Sequence, residues 1–211
     1  MESLVPGDHQ VRIAVEACGV NFPDTLIIEN KYQFKPDLPF APGGEVAGRI
    51  DMLGKAVSNF KIGEPVMAMT LSGGFSEQIV VDETTLLRRP QEMDSKTAAG
   101  FTMTYGTSMY ALNQRGCLQK GETLLVLGAG GGVGLAAVEI GKAMGAIVIA
   151  AASSEEKLIA AKKAGASHTI NYSCQNLRDR LKEIVGKNGV DVVYDPAGGR
   201  LFEAALRSTA W

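Results

Sequence analysis

The chain has 211 residues, of which 45% are hydrophobic, and a formal net charge of −2 at pH 7. This apolar content is typical of a globular protein with a substantial core, arranged as one large or two small domains. Its lysines and arginines are scattered rather than clustered, which argues against an electrostatic nucleic-acid interface.

The N-terminal sequence lacks the basic start and the apolar run of a secretory signal. The most apolar stretch, residues 133–152, is interrupted by Glu139 and Lys142 and predicts a helix followed by a strand rather than a membrane span. The three cysteines lie far apart in sequence, as is typical of reduced thiols in the cytosol. We therefore expect a cytoplasmic protein without a membrane or nucleic-acid partner.

The first part of the chain consists of short apolar runs separated by glycine and proline. The predicted strands are residues 11–17, 48–52, 65–69 and 77–81. Glycines at 43–44, 63 and 73–74 predict the turns between them. This pattern indicates a mostly β domain over residues 1–95.

The second part, residues 96–211, alternates strands with amphipathic helices. Strands are predicted at 124–127, 146–151, 168–171 and 190–194, with helices between them. Strands that alternate with helices in this way form a parallel sheet with right-handed crossovers.

The strongest motif is LLVLGAGGGVG (124–134), which places five glycines between a predicted strand and a helix. A diphosphate must approach the backbone N–H groups of a helix N-terminus closely, and side chains would hold it away. The spacing fits GxGxxG only with an alanine at one end, so a glycine-rich packing turn is an alternative. Because the motif lies between a strand and a helix, we interpret it as a dinucleotide-binding turn.

The end of the second predicted strand of this domain bears on the choice of cofactor. An acidic residue there would bind the 2′-hydroxyl of NAD, but the strand ends in alanines followed by Ser153 and Ser154. Ser153 and Lys157 can instead accept a 2′-phosphate, which favours NADP(H). Alternatively, Ser153 and Glu156 form a capping box for the next helix, and Lys157 is an ordinary solvated lysine.

With the glycine motif and the order of its two parts, the chain resembles the zinc-free quinone oxidoreductases of the medium-chain dehydrogenase/reductase superfamily. The resemblance covers nearly the whole chain and lies in the motifs ACGVNFPD (17–24), LPFAPGGEVAG (38–48), AAGFTMTYGTSMYAL (98–112), ASSEEKL (152–158), GASHTINY (165–172) and GVDVVYDPAGG (189–199). It implies an α/β protein in which a GroES-like catalytic domain precedes a doubly wound Rossmann domain, with the cofactor in the cleft between them. For the four strands of the Rossmann part it implies the order 3-2-1-4.

The resemblance also bears on metal binding. Zinc alcohol dehydrogenases of the superfamily have a cysteine where this chain has Asn21 and a histidine where it has Gly44. Neither residue supplies a thiolate or imidazole ligand, and the sequence lacks the four closely spaced cysteines of a structural zinc lobe. The resemblance therefore implies hydride transfer from NADPH to a quinone or conjugated enone, with no metal site.

Matching to the family motifs assigns roles to individual residues. Asn21, Asp24 and Tyr32 are placed at the mouth of the active site, where Asn21 orients the nicotinamide or its ribose and Tyr32 donates a hydrogen bond or proton. The cofactor residues are Thr107 near the nicotinamide, Gly130, Gly131, Gly132 and Val133 at the diphosphate, and Ser153, Lys157 and Tyr172 at the 2′-phosphate.

Several of these residues have a structural alternative. Asn21 and Asp24 flank Pro23 and could form a turn. Tyr32 could be a partly buried aromatic residue, and Thr107 could cap a helix. Asp195 lies where ligands bind at the carboxyl edge of the sheet, or it is a plain turn aspartate.

Family members are longer than this chain and are usually homo-oligomers, often dimers. The resemblance implies that two further Rossmann strands, the C-terminal part of the catalytic domain and a first hairpin are missing. We therefore expect an incomplete Rossmann domain and a fragment with reduced or no turnover. Two other functions stay open, namely NADPH-dependent reduction of α,β-unsaturated acyl thioesters and NADP(H) binding without catalysis.

Overall fold

The computed structural model describes residues 4–211, which divide into two units. The first unit ends at Met103, and the second is Thr104–Trp211. Each unit contains its own β-sheet. The division into domains at residues 95 and 96 stays a proposal from the sequence.

The first unit contains an antiparallel sheet of five strands in the order β4-β1-β2-β3-β5. Its strands are β1 (Gln10–Cys18), β2 (Glu45–Leu53), β3 (Pro65–Met69), β4 (Gln78–Asp82) and β5 (Leu86–Arg88). Two short helices accompany the sheet, α1 (Phe22–Ile28) and α2 (Ser95–Ala98). The mostly β architecture predicted for this part of the chain is confirmed, whereas α1, α2 and β5 were not predicted.

Both faces of the first sheet bury apolar side chains. The main core of this unit includes Val11, Ile13, Val46, Ile50, Val66, Ile79 and Val81. A second cluster joins Ala47 and Met67 of the sheet to Ala98 and Ala99 at the end of α2. Because β2 is covered on both faces at its start, its first residues lack the alternation of polar and apolar residues that marks a strand in sequence.

The second unit contains a parallel sheet of four strands in the order β8-β7-β6-β9. Its strands are β6 (Thr123–Leu127), β7 (Ile147–Ala152), β8 (His168–Asn171) and β9 (Val192–Tyr194). Numbered within this unit, the order is 3-2-1-4, and the predicted order is confirmed. The helices that follow these strands are α4 (Gly132–Ala143), α5 (Glu155–Lys163), α6 (Leu177–Val185) and α7 (Arg200–Leu206).

Helices cover both faces of the parallel sheet. Leu124 and Val126 of β6 contribute to the core that includes Ala137 of α4. Leu125 and Leu127 contribute to the opposite core, which includes Leu181 of α6. Burial on both faces explains why β6 is a continuous apolar run, as expected for an inner strand of an α/β protein.

A helical segment, residues 102–115, links α2 to β6. It consists of a π-helical turn at Thr102–Gly106, the short helix α3 (Thr107–Met109) and a second π-helical stretch at Tyr110–Arg115. Such wide turns are uncommon and often lie at functional sites. Among residues 4–211, no helix has the length and apolarity needed to cross a membrane.

Candidate cofactor and active site

The glycine turn (residues 128–134) joins β6 to α4 and exposes backbone N–H groups. The Ala129 N–H donates to the Ala151 carbonyl at 3.0 Å, and the Gly131 N–H donates to the Gly128 carbonyl at 3.0 Å. Gly131 is the N-cap of α4 and makes no side-chain capping bond. Since the first N–H groups of a helix have no acceptor within the helix, those of α4 can bind an anion at this end.

Two glycines of this turn are required by close contacts. A Cβ at Gly134 would overlap the Gly128 carbonyl oxygen, and a Cβ at Gly130 would overlap the side chain of Lys157. Packing therefore explains these two positions. It does not explain Gly131, which is exposed and where a Cβ would meet only the Gly128 oxygen, at 3.6 Å. A small residue at Gly131 is what close approach of a diphosphate needs.

Lys157 and Ser153 lie together beside the glycine turn. The Lys157 Nζ donates to the Ser153 Oγ at 3.2 Å, while the lysine stem lies against Gly130. The capping box considered for Ser153 and Glu156 is wrong, because the N-cap of α5 is Ser154, whose Oγ accepts from the Lys157 N–H at 3.4 Å. The hydroxyl of Ser153 thus faces a cation rather than a helix end.

Tyr172 follows β8 at the same edge of the sheet. Its N–H donates to the Ala152 carbonyl at 3.1 Å, and its side chain packs against the apolar cluster that contains Ile170. The neighbouring Ser173 Oγ donates to the Ser153 carbonyl at 2.8 Å. The ends of β7 and β8 are therefore tied together around the residues assigned to the 2′-phosphate.

A buried serine links the helical segment to the glycine turn. The Ser108 Oγ donates to the Val133 carbonyl at 2.8 Å and lies 3.1 Å from the Tyr194 hydroxyl. Ser108 has no exposed surface, and Tyr194 is the last residue of β9. Three elements around the carboxyl edge of the sheet, namely α3, α4 and β9, are therefore joined by hydrogen bonds.

Tyr105 makes a second link between this segment and α4. Its hydroxyl donates to the Glu139 carboxylate. That hydrogen bond, together with partial burial, favours the neutral phenol and raises the pKa of Tyr105 to about 12.

Thr107 is exposed at the start of α3, whose N-cap is Gly106. It lines an open cavity of about 520 Å³ together with Leu112 and with Val192 and Asp195 near the end of β9. The Asp195 carboxylate accepts the N–H groups of the two residues that follow Pro196, at 2.9 and 2.8 Å, as a turn aspartate does. Most of the residues that line this cavity are apolar, and Thr107 lies at its wall.

In the first unit, Asn21 and Asp24 lie beside the buried Glu45. The Asn21 Nδ2 donates to Glu45 Oε2 at 3.0 Å, and the Met103 N–H donates to Glu45 Oε1 at 2.9 Å. Asp24 accepts the N–H of Asn21 at 2.8 Å and that of Gly43 at 3.2 Å. Asp24 and Glu45 are 4% and 0% exposed, so Asn21 is the member of this cluster that reaches the surface.

Tyr32 lies in the irregular segment between α1 and β2 and is partly buried.

Within the described part of the chain, no three side chains of His, Cys, Asp or Glu gather in a group that could hold a metal ion. Cys18 is half-buried, and its burial raises the pKa of the thiol to about 11, which makes the thiol a weak nucleophile and ligand at neutral pH.

Comparison with known proteins gives two matches that follow each other along the chain. Residues 7–91 match the alcohol dehydrogenase GroES-like domain, and residues 132–210 match the zinc-binding dehydrogenase family. The chain belongs to the medium-chain dehydrogenase/reductase family. The zinc-binding description is the name of the family, and this chain has Asn21 and Gly44 at the two positions that the resemblance assigns to zinc ligands in the zinc enzymes.

Individual relatives point to the quinone oxidoreductase branch. The chain is 41% identical over 206 residues to quinone oxidoreductase-like protein 2 of Rattus norvegicus, covering 97% of this chain and 59% of the rat protein. Escherichia coli quinone oxidoreductase, solved in complex with NADPH, is 32% identical with a TM-score of 0.94, over 99% of this chain and 64% of that one. The CurK enoyl reductase is 28% identical with a TM-score of 0.90, and the match covers 100% of this chain and 65% of the CurK chain. The chain thus spans less than two thirds of the length of each.

Three residues of these clusters were missed from the sequence. The sequence does contain a feature that points to Glu45, namely an acidic residue next to the apolar run of β2 in the motif GGEVAG. No sequence feature points to Ser108 or Tyr194, since their pairing depends on the wide helical turns that place Ser108 against the first turn of α4. The roles assigned to the other site residues stay predictions.

Proposed function

We propose that this chain binds NADPH at the glycine turn and takes part in zinc-free hydride transfer to a quinone or another conjugated carbonyl compound. The observation that carries the proposal is the exposed N-terminus of α4 with Lys157 and Ser153 beside it. The quinone oxidoreductase name of the rat relative and the NADPH complex of the E. coli neighbour support the same function.

The glycine turn fits a dinucleotide through its backbone. Gly130, Gly131, Gly132 and Val133 follow one another at the positive end of the α4 dipole, and the space in front of Gly131 is open. A diphosphate bound here would accept hydrogen bonds from the first N–H groups of α4, which have no acceptor within the helix. Val133 also contributes its carbonyl to the buried bond with Ser108, which holds this turn in place.

The neighbouring side chains favour a 2′-phosphate over a 2′-hydroxyl. Lys157 supplies a charge and Ser153 a hydroxyl within 3.2 Å of each other, and neither is a carboxylate that would repel phosphate. Tyr172 extends the same edge of the sheet and completes the set of residues assigned to this group.

The first unit supplies the residues assigned to the reaction. When bound, NADPH supplies the hydride from its nicotinamide ring. By the family match, Asn21 is assigned to orient the nicotinamide end, and Tyr32 to donate a hydrogen bond or proton to the acceptor oxygen. The family match also assigns Thr107, which belongs to the second unit, to the nicotinamide. Asp24 acts indirectly, because both of its carboxylate oxygens accept backbone N–H groups and hold Asn21 at the start of α1.

We infer the class of hydride acceptor from the side chains at the two positions that the family resemblance assigns to zinc ligands. Asn21 and Gly44 supply no zinc ligand, so these residues provide no Lewis acid to polarise a simple carbonyl group. Quinones and enones are already activated by conjugation, and need mainly positioning and a hydrogen bond at the oxygen. Enoyl thioesters are a second candidate class, favoured by the likeness to the CurK enoyl reductase.

The test is a titration of the chain with NADPH and NADH, followed by the fluorescence of the reduced nicotinamide. We expect NADPH to bind about tenfold more tightly, because a charge-assisted contact to the 2′-phosphate is lost with NADH. Benzoquinone or an enoyl thioester is then added, and the absorbance of the reduced nicotinamide is followed. Oxidation by the quinone supports the proposal, and oxidation by the thioester alone supports the second class. Binding without oxidation indicates an NADP(H)-binding protein, and no binding overturns the proposal.

A further inference from the structure

Glu45 is a fully buried acidic residue for which the proposed reaction has no direct use. It is the first residue of β2 and is 0% exposed. A Cβ at Gly19 would come within 3.1 Å of its Oε2, so the chain passes close to the carboxylate. The two oxygens accept from the Asn21 Nδ2 and from the Met103 N–H. A buried acidic group with both oxygens satisfied imposes a fixed geometry on its donors.

The carboxylate determines which end of the Asn21 amide faces it. The Asn21 Nδ2 donates to Glu45 Oε2, so Oδ1, at the other end of the same amide, points away from Glu45. A turned amide would set two acceptors against each other, which is costly at a buried site. The Asp24 N–H donates to the backbone carbonyl of Asn21 at 3.0 Å and, in the capping box of α1, also faces the Asn21 side chain. An amide oxygen has two lone pairs, so Oδ1 keeps one for a ligand on the partly exposed side of Asn21.

We propose that Glu45 is a positioning residue that fixes Asn21 as a hydrogen-bond acceptor toward its ligand. The ligand group that Asn21 meets is then a hydroxyl or an amide N–H, both of which NADPH carries at its nicotinamide end. The assignment of the ligand rests on the proposed function, whereas the orientation of Asn21 rests on the contacts of Glu45 alone.

The substitution Glu45→Gln reverses this orientation while keeping the shape of the side chain. The Met103 N–H belongs to the backbone and cannot turn, so the carbonyl oxygen of the introduced amide must face it. The NH₂ group of that amide then faces Asn21, which turns its Oδ1 inward and its NH₂ outward. Adding Asn21→Asp to this variant restores an outward acceptor, because the inner oxygen of the new carboxylate accepts from the introduced NH₂ group.

Hydrogen exchange of the Asn21 side-chain amide tests the orientation without any ligand. In the unsubstituted chain labelled with ¹⁵N, we expect Asn21 NH₂ protons to exchange at least about tenfold more slowly than those of the exposed Asn113. In Glu45→Gln the two asparagines should exchange at similar rates. Equal rates in the unsubstituted chain, or an unchanged Asn21 rate in a folded Glu45→Gln variant, would overturn the proposal.

Titration with NADPH tests the consequence for binding. Glu45→Gln should weaken NADPH binding about tenfold, Asn21→Asp alone should weaken it further through repulsion between two carboxylates, and the double variant should recover most of the loss. Thermal unfolding of each variant separates loss of fold from loss of orientation, since a merely structural role predicts no recovery in the double variant. Absence of NADPH binding by the unsubstituted chain contradicts the proposed function, and the exchange rates then decide the role of Glu45 independently.

Discussion

Lys157 is the single residue on which the choice of NADPH over NADH depends most. Its ammonium lies 3.2 Å from Ser153 and its stem crosses Gly130, so a bound 2′-phosphate would meet a charge already held in place. We predict that Lys157→Ala weakens NADPH binding by about tenfold or more and changes NADH binding less than about twofold. The matched control is Lys163→Ala, an exposed lysine in the last turn of the same helix. Equal losses for both cofactors would contradict the assignment.

Tyr105 makes the folding stability of the chain depend on pH, and its hydrogen bond to Glu139 determines the direction of that dependence. The pKa of Tyr105 is raised from 10.0 to about 12, chiefly by its bond to Glu139 and secondarily by burial. The stabilising bond is fully present below the unfolded-state pKa and is lost as pH rises through the folded-state value. We predict that the unsubstituted chain loses stability more steeply between about pH 10 and about pH 12 than Tyr105→Phe does.

Urea unfolding at several pH values measures this difference. Ultraviolet titration of the phenol provides a second readout, because the difference between the unsubstituted chain and Tyr105→Phe isolates one tyrosine. Its midpoint should lie near 12 and should fall toward 10 in Glu139→Gln. A midpoint that does not move in Glu139→Gln would exclude the carboxylate as the cause.

Among the elements, the helical segment 102–115 is attached to α4 and β9 by a buried pair of hydroxyl groups. Ser108 bonds to the Val133 carbonyl and lies 3.1 Å from the Tyr194 hydroxyl. Ser108→Ala should lower the free energy of unfolding by roughly 1–3 kcal/mol, because it leaves two buried polar groups with fewer partners. Tyr194→Phe should cost about 1 kcal/mol, since Ser108 keeps its bond to Val133.

A double-mutant cycle isolates the contact between the two hydroxyls. The double variant should be more stable than the sum of the single losses predicts, with a coupling of at least about 0.5 kcal/mol in urea unfolding. The control is Ser167→Ala, an exposed serine of the same unit, which should change stability by less than about 0.5 kcal/mol. Strict additivity would show that Ser108 and Tyr194 act independently.

The elements differ in how far the sequence predicts them. The number and approximate bounds of the strands in the parallel sheet were predicted because continuous apolar runs alternate with amphipathic helices, whereas their order was implied by the family resemblance. The helix α1 was not, since Pro23 and the two polar residues around it also fit a turn. The segment 102–115 escaped prediction because its π-helical turns break the usual helical period. Contacts such as that between Asn21 and Glu45 join residues distant in sequence, and no local pattern encodes them.

At the scale of the whole molecule, the net charge of −2 offers no long-range attraction for an anionic dinucleotide. Recognition of the 2′-phosphate must therefore come from nearby groups, chiefly Lys157. We predict that raising ionic strength from about 50 to about 500 mM reduces the preference for NADPH over NADH, because salt screens an exposed charge contact. The measurement is the ratio of the two dissociation constants across the salt series. In Lys157→Ala the ratio should be near one and insensitive to salt. A salt-independent preference in the unsubstituted chain would locate the discrimination in uncharged contacts, such as the hydroxyls of Ser153 and Tyr172, instead of in the lysine.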